Sequence, residues 1–237
     1  EKDKSQNKTF TYLRKRFYSS DMKSFLCSFL LLINGFVFSQ TQQQLDSLER
    51  LIPKKQGKEK VQLLNDLTFY YYQNNADKAI HFGTQALKLA KTLNDNKLLA
   101  NTYNDYSMPF HMKGDFQKAV ELNKAALDIR LKLQDTMGMI SSHSKLGSAY
   151  YELTQYKKAQ EAYNEAIRLA KIKKDENLLL HLYRNSTNVL EISGYVEEAL
   201  RMQQDVQKLA QKSGDVALQI NNYGNLASCY RKLKNYS

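Results

Sequence analysis

Ala79, Ala119, Ala159 and Ala199 fall on one column of this chain and Asp95, Asp135, Asp175 and Asp215 on another, so the sequence repeats every forty residues. A fixed period between about 20 and 50 residues marks stacked supersecondary units, each unable to bury its apolar face alone. Stacking them builds one continuous core and leaves a long concave surface for partners. Nine Gly and two Pro in 237 residues, beside abundant Leu, Ala, Lys and Gln, make the units helical. The expected fold class is all-α, an αα solenoid of helix-turn-helix units.

The N-terminus does not follow the period. Residues 1–21 are polar and basic, including Arg14, Lys15 and Arg16, and Met22 is the expected start of translation. Lys23 precedes an apolar run from Phe25 to Phe38, broken by Ser28, Asn34 and Gly35. As a helix that run reaches ~21 Å, short of the ~30 Å hydrocarbon core. A basic start, a short apolar run and Val37-Phe38-Ser39 predict a signal peptide over 22–39, cleaved before Gln40. The product is then exported, to the periplasm or cell envelope. Cys27 is not a lipidation site, because bulky Leu26 precedes it and the apolar run continues beyond. Cleavage leaves Cys229 alone, so the mature chain has no intrachain disulfide and no cysteine metal cluster.

The formal charge of +11 divides between 1–39, with seven basic and three acidic residues, and the remainder, with 28 and 21. No dense basic block concentrates it, so direct nucleic-acid binding is not expected. A membrane enters only through the export signal or a segment beyond residue 237.

The clearest unit spans 136–175. His143, Leu146, Gly147 and Tyr150 are spaced as in W-x2-L-G-x2-Y, and Ala159 with Tyr163 fits A-x3-F. This resembles the tetratricopeptide repeat. Tyr103, Tyr106, Ser107 and Phe110 fill the first helix of 96–135. Tyr183, Ser186, Thr187 and Leu190 do so in 176–215, and Tyr223, Leu226, Ala227 and Tyr230 in the partial unit 216–237. Leu64, Leu67, Thr68 and Tyr71 fit unit 60–95, after a separate N-terminal helical segment over 40–59. The resemblance implies a right-handed solenoid and looks like the forty-residue arrays of bacterial sensory and regulatory proteins. The family's usual unit has 34 residues, so here both helices lengthen to about 17 residues. The aspartate column lies at the start of each following first helix, where a carboxylate accepts free backbone N–H groups. These residues are caps rather than catalysts.

No constellation for catalysis is present. His81, His111, His143 and His181 lie on separate predicted helices without metal-ligand spacing, and no Gly-rich phosphate loop occurs. Ser141-Ser142-His143-Ser144 points in different directions on a helix and lacks a nucleophile elbow. The chain is therefore expected to be no enzyme and to need no cofactor.

The resemblance implies a concave face lined by first helices. Its columns fall on Gln62, Asn101, Ser141, His181 and Asn221; on Asn65, Asn104, Ser144, Arg184 and Gly224; and on Tyr72, His111, Tyr151, Glu191 and Arg231. The candidate ligand-binding residues are Asn65, Tyr72, Asn101, Asn104, His111, Ser144, Tyr151, His181, Arg184, Asn188 and Arg231. Amides and rigid aromatics suit a protein or peptide partner in extended conformation, and the arginines suit its carboxylates. Pro109 interrupts a helical run and is expected to bend it, as a tolerated irregularity near the helix end; the alternative is a reshaped groove beside Met108 and His111. The expected function is an exported, non-catalytic peptide-binding module. The alternative is the extracytoplasmic sensory region of a larger membrane-bound regulator with a kinase or DNA-binding output. The fifth unit has only a first helix, so the chain is expected to continue, and this open end to fray or self-associate.

Overall fold

The computed structural model describes residues 43–214 and 216–236. The basic stretch 1–21, the expected signal peptide 22–39 and Asp215 lie outside the described residues. The chain divides into a unit ending at Lys54 and a second beginning at Lys55. The first contributes a helical stretch over 43–49 and a 3-10 turn, Ile52–Lys54. The second is a run of paired helices: α1 (Gly57–Tyr71), α2 (Ala76–Ala90), α3 (Asn96–Met112), α4 (Phe116–Lys132), α5 (Thr136–Glu152), α6 (Tyr156–Lys173), α7 (Glu176–Ile192), α8 (Val196–Ser213) and α9 (Val216–Tyr236). Among the described residues no helix is long and apolar enough to cross a membrane.

The helices start where the sequence supplies an acceptor. Asp95, Asp135 and Asp175 accept the backbone N–H of Leu98, Gly138 and Leu178 at 2.9, 3.0 and 3.0 Å. Asn75 and Asp115 do the same for α2 and α4. Each such cap contributes ~1 kcal/mol. The helices stop at left-handed residues, and these fall twenty apart: Asn94, Gly114, Gln134, Thr154, Lys174, Gly194 and Gly214. The next N–H reaches back to close the helix end, as from Asp115 to Phe110 O at 2.9 Å and from Gln155 to Tyr150 O at 2.9 Å. The α1–α2 turn differs: Asn75 N–H returns to Tyr71 O at 2.8 Å without a left-handed residue. The helices α3, α4, α5 and α7 have 17 residues each, the lengthening expected from a forty-residue period.

Packing follows the columns. Ala79, Ala119, Ala159 and Ala199 are all buried. Small residues face large ones: a Cβ on Gly147 would stand 2.8 Å from Tyr163 Cζ. In the preceding pair the Ser107 hydroxyl donates to Asn123 Oδ1 at 3.1 Å. Burial pushes the Tyr163 phenol up to about 12. Ile140, Tyr163, Leu182, Tyr183 and Val189 join the third and fourth pairs into one core.

First helices also touch the first helix of the next pair, α1 with α3, α3 with α5 and α5 with α7, whereas second helices do not pack comparably on one another. The first helices therefore lie on the inner, concave side. Pro109 is buried within α3, which continues through it to Met112. At the far end α9 buries Asn222 and Cys229 and leaves Val216, Ile220, Tyr223 and Tyr230 exposed.

Candidate ligand-binding face

Sequence columns put polar residues on the inner side, and the structure shows what each does there. Its centre is Arg130, buried at the end of α4. One terminal nitrogen, Nη1, donates to Ser142 Oγ at 2.8 Å, Gly138 O at 3.0 Å and Asn104 Oδ1 at 3.2 Å. The other, Nη2, donates to Asn101 Oδ1 at 3.0 Å. Ser141 Oγ adds a bond to Asn104 Oδ1 at 3.2 Å. Arg130 thus ties α3 to α5 through neutral acceptors, while its Nε has no partner. Asn104 Nδ2 turns to Asp105 Oδ1 at 3.1 Å.

Two further charged groups lie beside this network. Burial pushes the Asp105 carboxyl up and the Lys145 ammonium down from their ordinary ranges. They act on each other through space without forming an ion pair. Desolvation likewise lowers the His111 and His181 imidazoles from their ordinary value.

Among the described residues, cavities open on the inner side between successive first helices. One, of about 140 Å³, is bordered by Tyr72, Met108, His111, Met112, Lys145 and Ser148. The other, of about 470 Å³, is bordered by His181, Arg184, Gln203, Asn221, Asn222 and Asn225. Asn222 is almost wholly buried, donates to Gln203 O and Gln207 Oε1, and leaves its own Oδ1 without a partner.

The structure therefore sorts the sequence-predicted residues. Tyr72 and His111 meet at the first cavity, where His111 stands edge-on to Phe116 at 5.1 Å. His181 and Arg184, both exposed, meet at the second. Ser144 and Tyr151 are half-buried, with the Tyr151 ring tilted against Tyr156 at 5.8 Å. Asn188 and Arg231 are exposed and border neither cavity. Asn65 is buried and donates to Thr102 Oγ1 at 3.0 Å, and Asn101 and Asn104 hold Arg130. Those three amides brace neighbouring helices. Sequence reasoning missed Arg130, Asp105 and Lys145. For Arg130 a signal existed: its column otherwise reads Ala90, Ala170 and Ala210.

Among the described residues no group of three or more His, Cys, Asp or Glu side chains is placed to hold a metal ion. The face offers amides, hydroxyls, imidazoles and cations, among them Lys145 and Arg184.

Stacked antiparallel helix pairs with an inner row of first helices define an αα solenoid. The chain carries tetratricopeptide repeats: models of that repeat match residues 68–132 and 141–171. A putative kinesin light chain with TPR-like repeats from Podosopora anserina superposes with a TM-score of 0.69 at 18% identity, covering 76% of this chain and 90% of that one. BtubC (BKLC) from P. vanneervenii gives 0.70 at 18% identity, covering 83% and 85%. A Rap protein solved in complex with competence and sporulation factor gives 0.64 at 15% identity, covering 86% and 63%. At these identities the likeness is one of fold. A search of curated proteins finds no significant match.

Proposed function

We propose that the chain is a non-catalytic module that binds an extended protein or peptide segment along the inner row of first helices. The observation that carries this reading is the pair of cavities on that row, one beside Lys145 and one beside Arg184, each cation lacking a carboxylate among the groups bordering its cavity. Ser144, Tyr151 and Asn188, on the helices that carry these cations, suit main-chain groups, and the cations suit acidic ones. The fold supports it, since tetratricopeptide arrays are interaction scaffolds, and the Rap relative was solved with a bound factor.

Export belongs to the same proposal and rests on the apolar run Phe25–Phe38. N-terminal sequencing of the mature product is expected to begin near Gln40, and recovery of an intact N-terminus in the cytosol sinks it. The reading frame beyond codon 237 separates a free-standing adaptor from the sensory region of a larger regulator.

The direct test is hydrogen exchange on the full chain with a peptide captured from a random pool. Slowed exchange in α3, α5 and α7, with α4 and α6 unchanged, is the expected result. Protection confined to second helices removes the inner face from consideration.

A further inference from the structure

A buried amide with an unmet bond, that of Asn222, borders the larger inner cavity and is only 1% exposed. Its Nδ2 donates to Gln203 O at 2.9 Å and to Gln207 Oε1 at 3.0 Å. With both hydrogens committed to oxygens the amide has one orientation, and Oδ1 is left without a donor among the described residues. Gln207 Nε2 likewise lacks an acceptor there. A buried amide oxygen without a donor is costly, and a ligand N–H or O–H relieves that cost.

The columns show that this polar layer is particular to the last helices. Where α8 has Gln207 the earlier second helices have Leu87, Leu127 and Ile167, and where α9 has Asn222, α7 has Leu182. Ile167 and Leu182 lie in one core, so the fold closes the same layer with aliphatic side chains one repeat earlier. Thr102 and Ser142, on the Asn222 column in α3 and α5, both accept hydrogen bonds from neighbouring helices.

The unmet oxygen restricts what can bind. A carboxylate brings no hydrogen to it. A cationic donor meets Arg184, which borders the same cavity, and no Asp or Glu borders it to offset a second positive charge. The donor is therefore neutral. Arg184 is exposed and carries donors only, so it calls for an oxygen on the same ligand. A carboxamide presents N–H and C=O from separate atoms of one uncharged group, whereas a hydroxyl must serve a buried acceptor and an exposed donor from a single oxygen. Leu180, Val206 and Leu218 add apolar wall, and about 470 Å³ lies within the ~300–1,000 Å³ of ligand sites.

We propose that the cavity among α7, α8 and α9 receives a primary carboxamide on an aliphatic stem, with its N–H on Asn222 Oδ1 and its carbonyl on Arg184. Two sources share this chemistry: an Asn or Gln side chain of a peptide, and a free aliphatic amide. The first rests on the peptide-binding reading above, and the second does not.

The test uses the full chain and three pools of random eight-residue peptides that differ only at the fourth position, which holds Asn or Gln, Asp or Glu, or Ser or Thr. The expected result is capture from the amide pool at about tenfold or more above the other two. Asn222→Leu combined with Gln207→Ile rebuilds the aliphatic layer found one repeat earlier, so it is expected to keep the melting temperature while abolishing the preference. In parallel, 3-methylbutanamide and 3-methylbutanoate are titrated while the Val206 and Leu218 methyl resonances are followed. Shifts with the amide alone that vanish in the double variant, with no peptide captured, uphold the cavity's chemistry, assign its ligand as a small amide and end the peptide reading. Capture that favours either other pool, that is equal from all three, or that keeps its amide preference in the double variant overturns the inference and leaves peptide binding standing. Binding of neither peptide nor amide overturns both.

Discussion

Gly138 occupies the space beside Arg130: a Cβ at 138 would stand 2.7 Å from Arg130 Cδ and Nε. The columns show the exchange. Where this chain has Arg130 the other repeats have Ala90, Ala170 and Ala210, and where it has Gly138 they have Leu98, Leu178 and Leu218. A small residue and a large one have traded places across the boundary between the second and third repeats. The large one brings a charge and four hydrogen bonds.

That exchange predicts a compensating pair. Gly138→Leu alone clashes with the guanidinium, and Arg130→Ala alone leaves a cavity and strands the acceptors on Asn101, Asn104 and Gly138. Each is expected to cost about 2–4 kcal/mol. The double variant restores the Ala–Leu pairing of the other repeats, so the two losses should fall short of additivity by about 1–3 kcal/mol. Urea denaturation of the four proteins measures this, and additive losses would show that the two positions do not share one space.

Gly147→Ala is expected to destabilise by about 1–3 kcal/mol, because the added methyl meets the Tyr163 ring at 2.8 Å and that ring is buried. A variant as stable as the parent means that Tyr163 has room to move.

Thr154 has a φ of 58°, where its counterparts in the third and seventh helices' turns are Gly114 and Gly194. A β-branched residue in that region carries ~1–2 kcal/mol of strain. Thr154→Gly relieves it but loosens the unfolded chain, for a net gain of about 0.5–1 kcal/mol. A higher urea midpoint is expected, and a lower one shows that the turn holds Thr154 without strain.

Burial raises the Asp105 carboxyl above its ordinary value of 3.8, so the folded chain holds that proton more tightly than the unfolded one. Its contribution to stability is therefore fully present below pH about 4 and is lost as pH rises through the folded value. Asp105→Asn keeps an acceptor for Asn104 and cannot ionise. Its stability relative to the parent is expected to grow from pH 3 to pH 7, and a constant difference across that range refutes the assignment.

Much of the scaffold was legible because a period constrains many positions at once. The alanine column is buried in all four copies, and Asp95, Asp135 and Asp175 cap their helices as their spacing indicates. The face was harder to read. Columns had been searched for sameness, and Arg130 is informative because it departs from its own. Asn65 and Asn104 stand on face-forming columns, yet Thr102 and Arg130 engage them from neighbouring helices. Whether an amide is free depends on how far such a neighbour reaches, which no single column reports. Lys145 escaped notice for the same reason: the cavity it borders is walled by Met108 and Met112, one repeat away.

The left-handed residues come every twenty positions, not every forty, so the backbone treats turns within a pair and turns between pairs alike. Any two consecutive helices from α2 onward make an equally good hairpin. What labels a helix as first or second is written only in side chains such as Gly147 opposite Tyr163. A chain that collapses half a repeat out of phase would meet no backbone obstacle and would be rejected by misfitting side chains alone. The unequal partners along the helix faces are thus what gives the polypeptide a single phase, and making them uniform would erase it before it weakened any one helix.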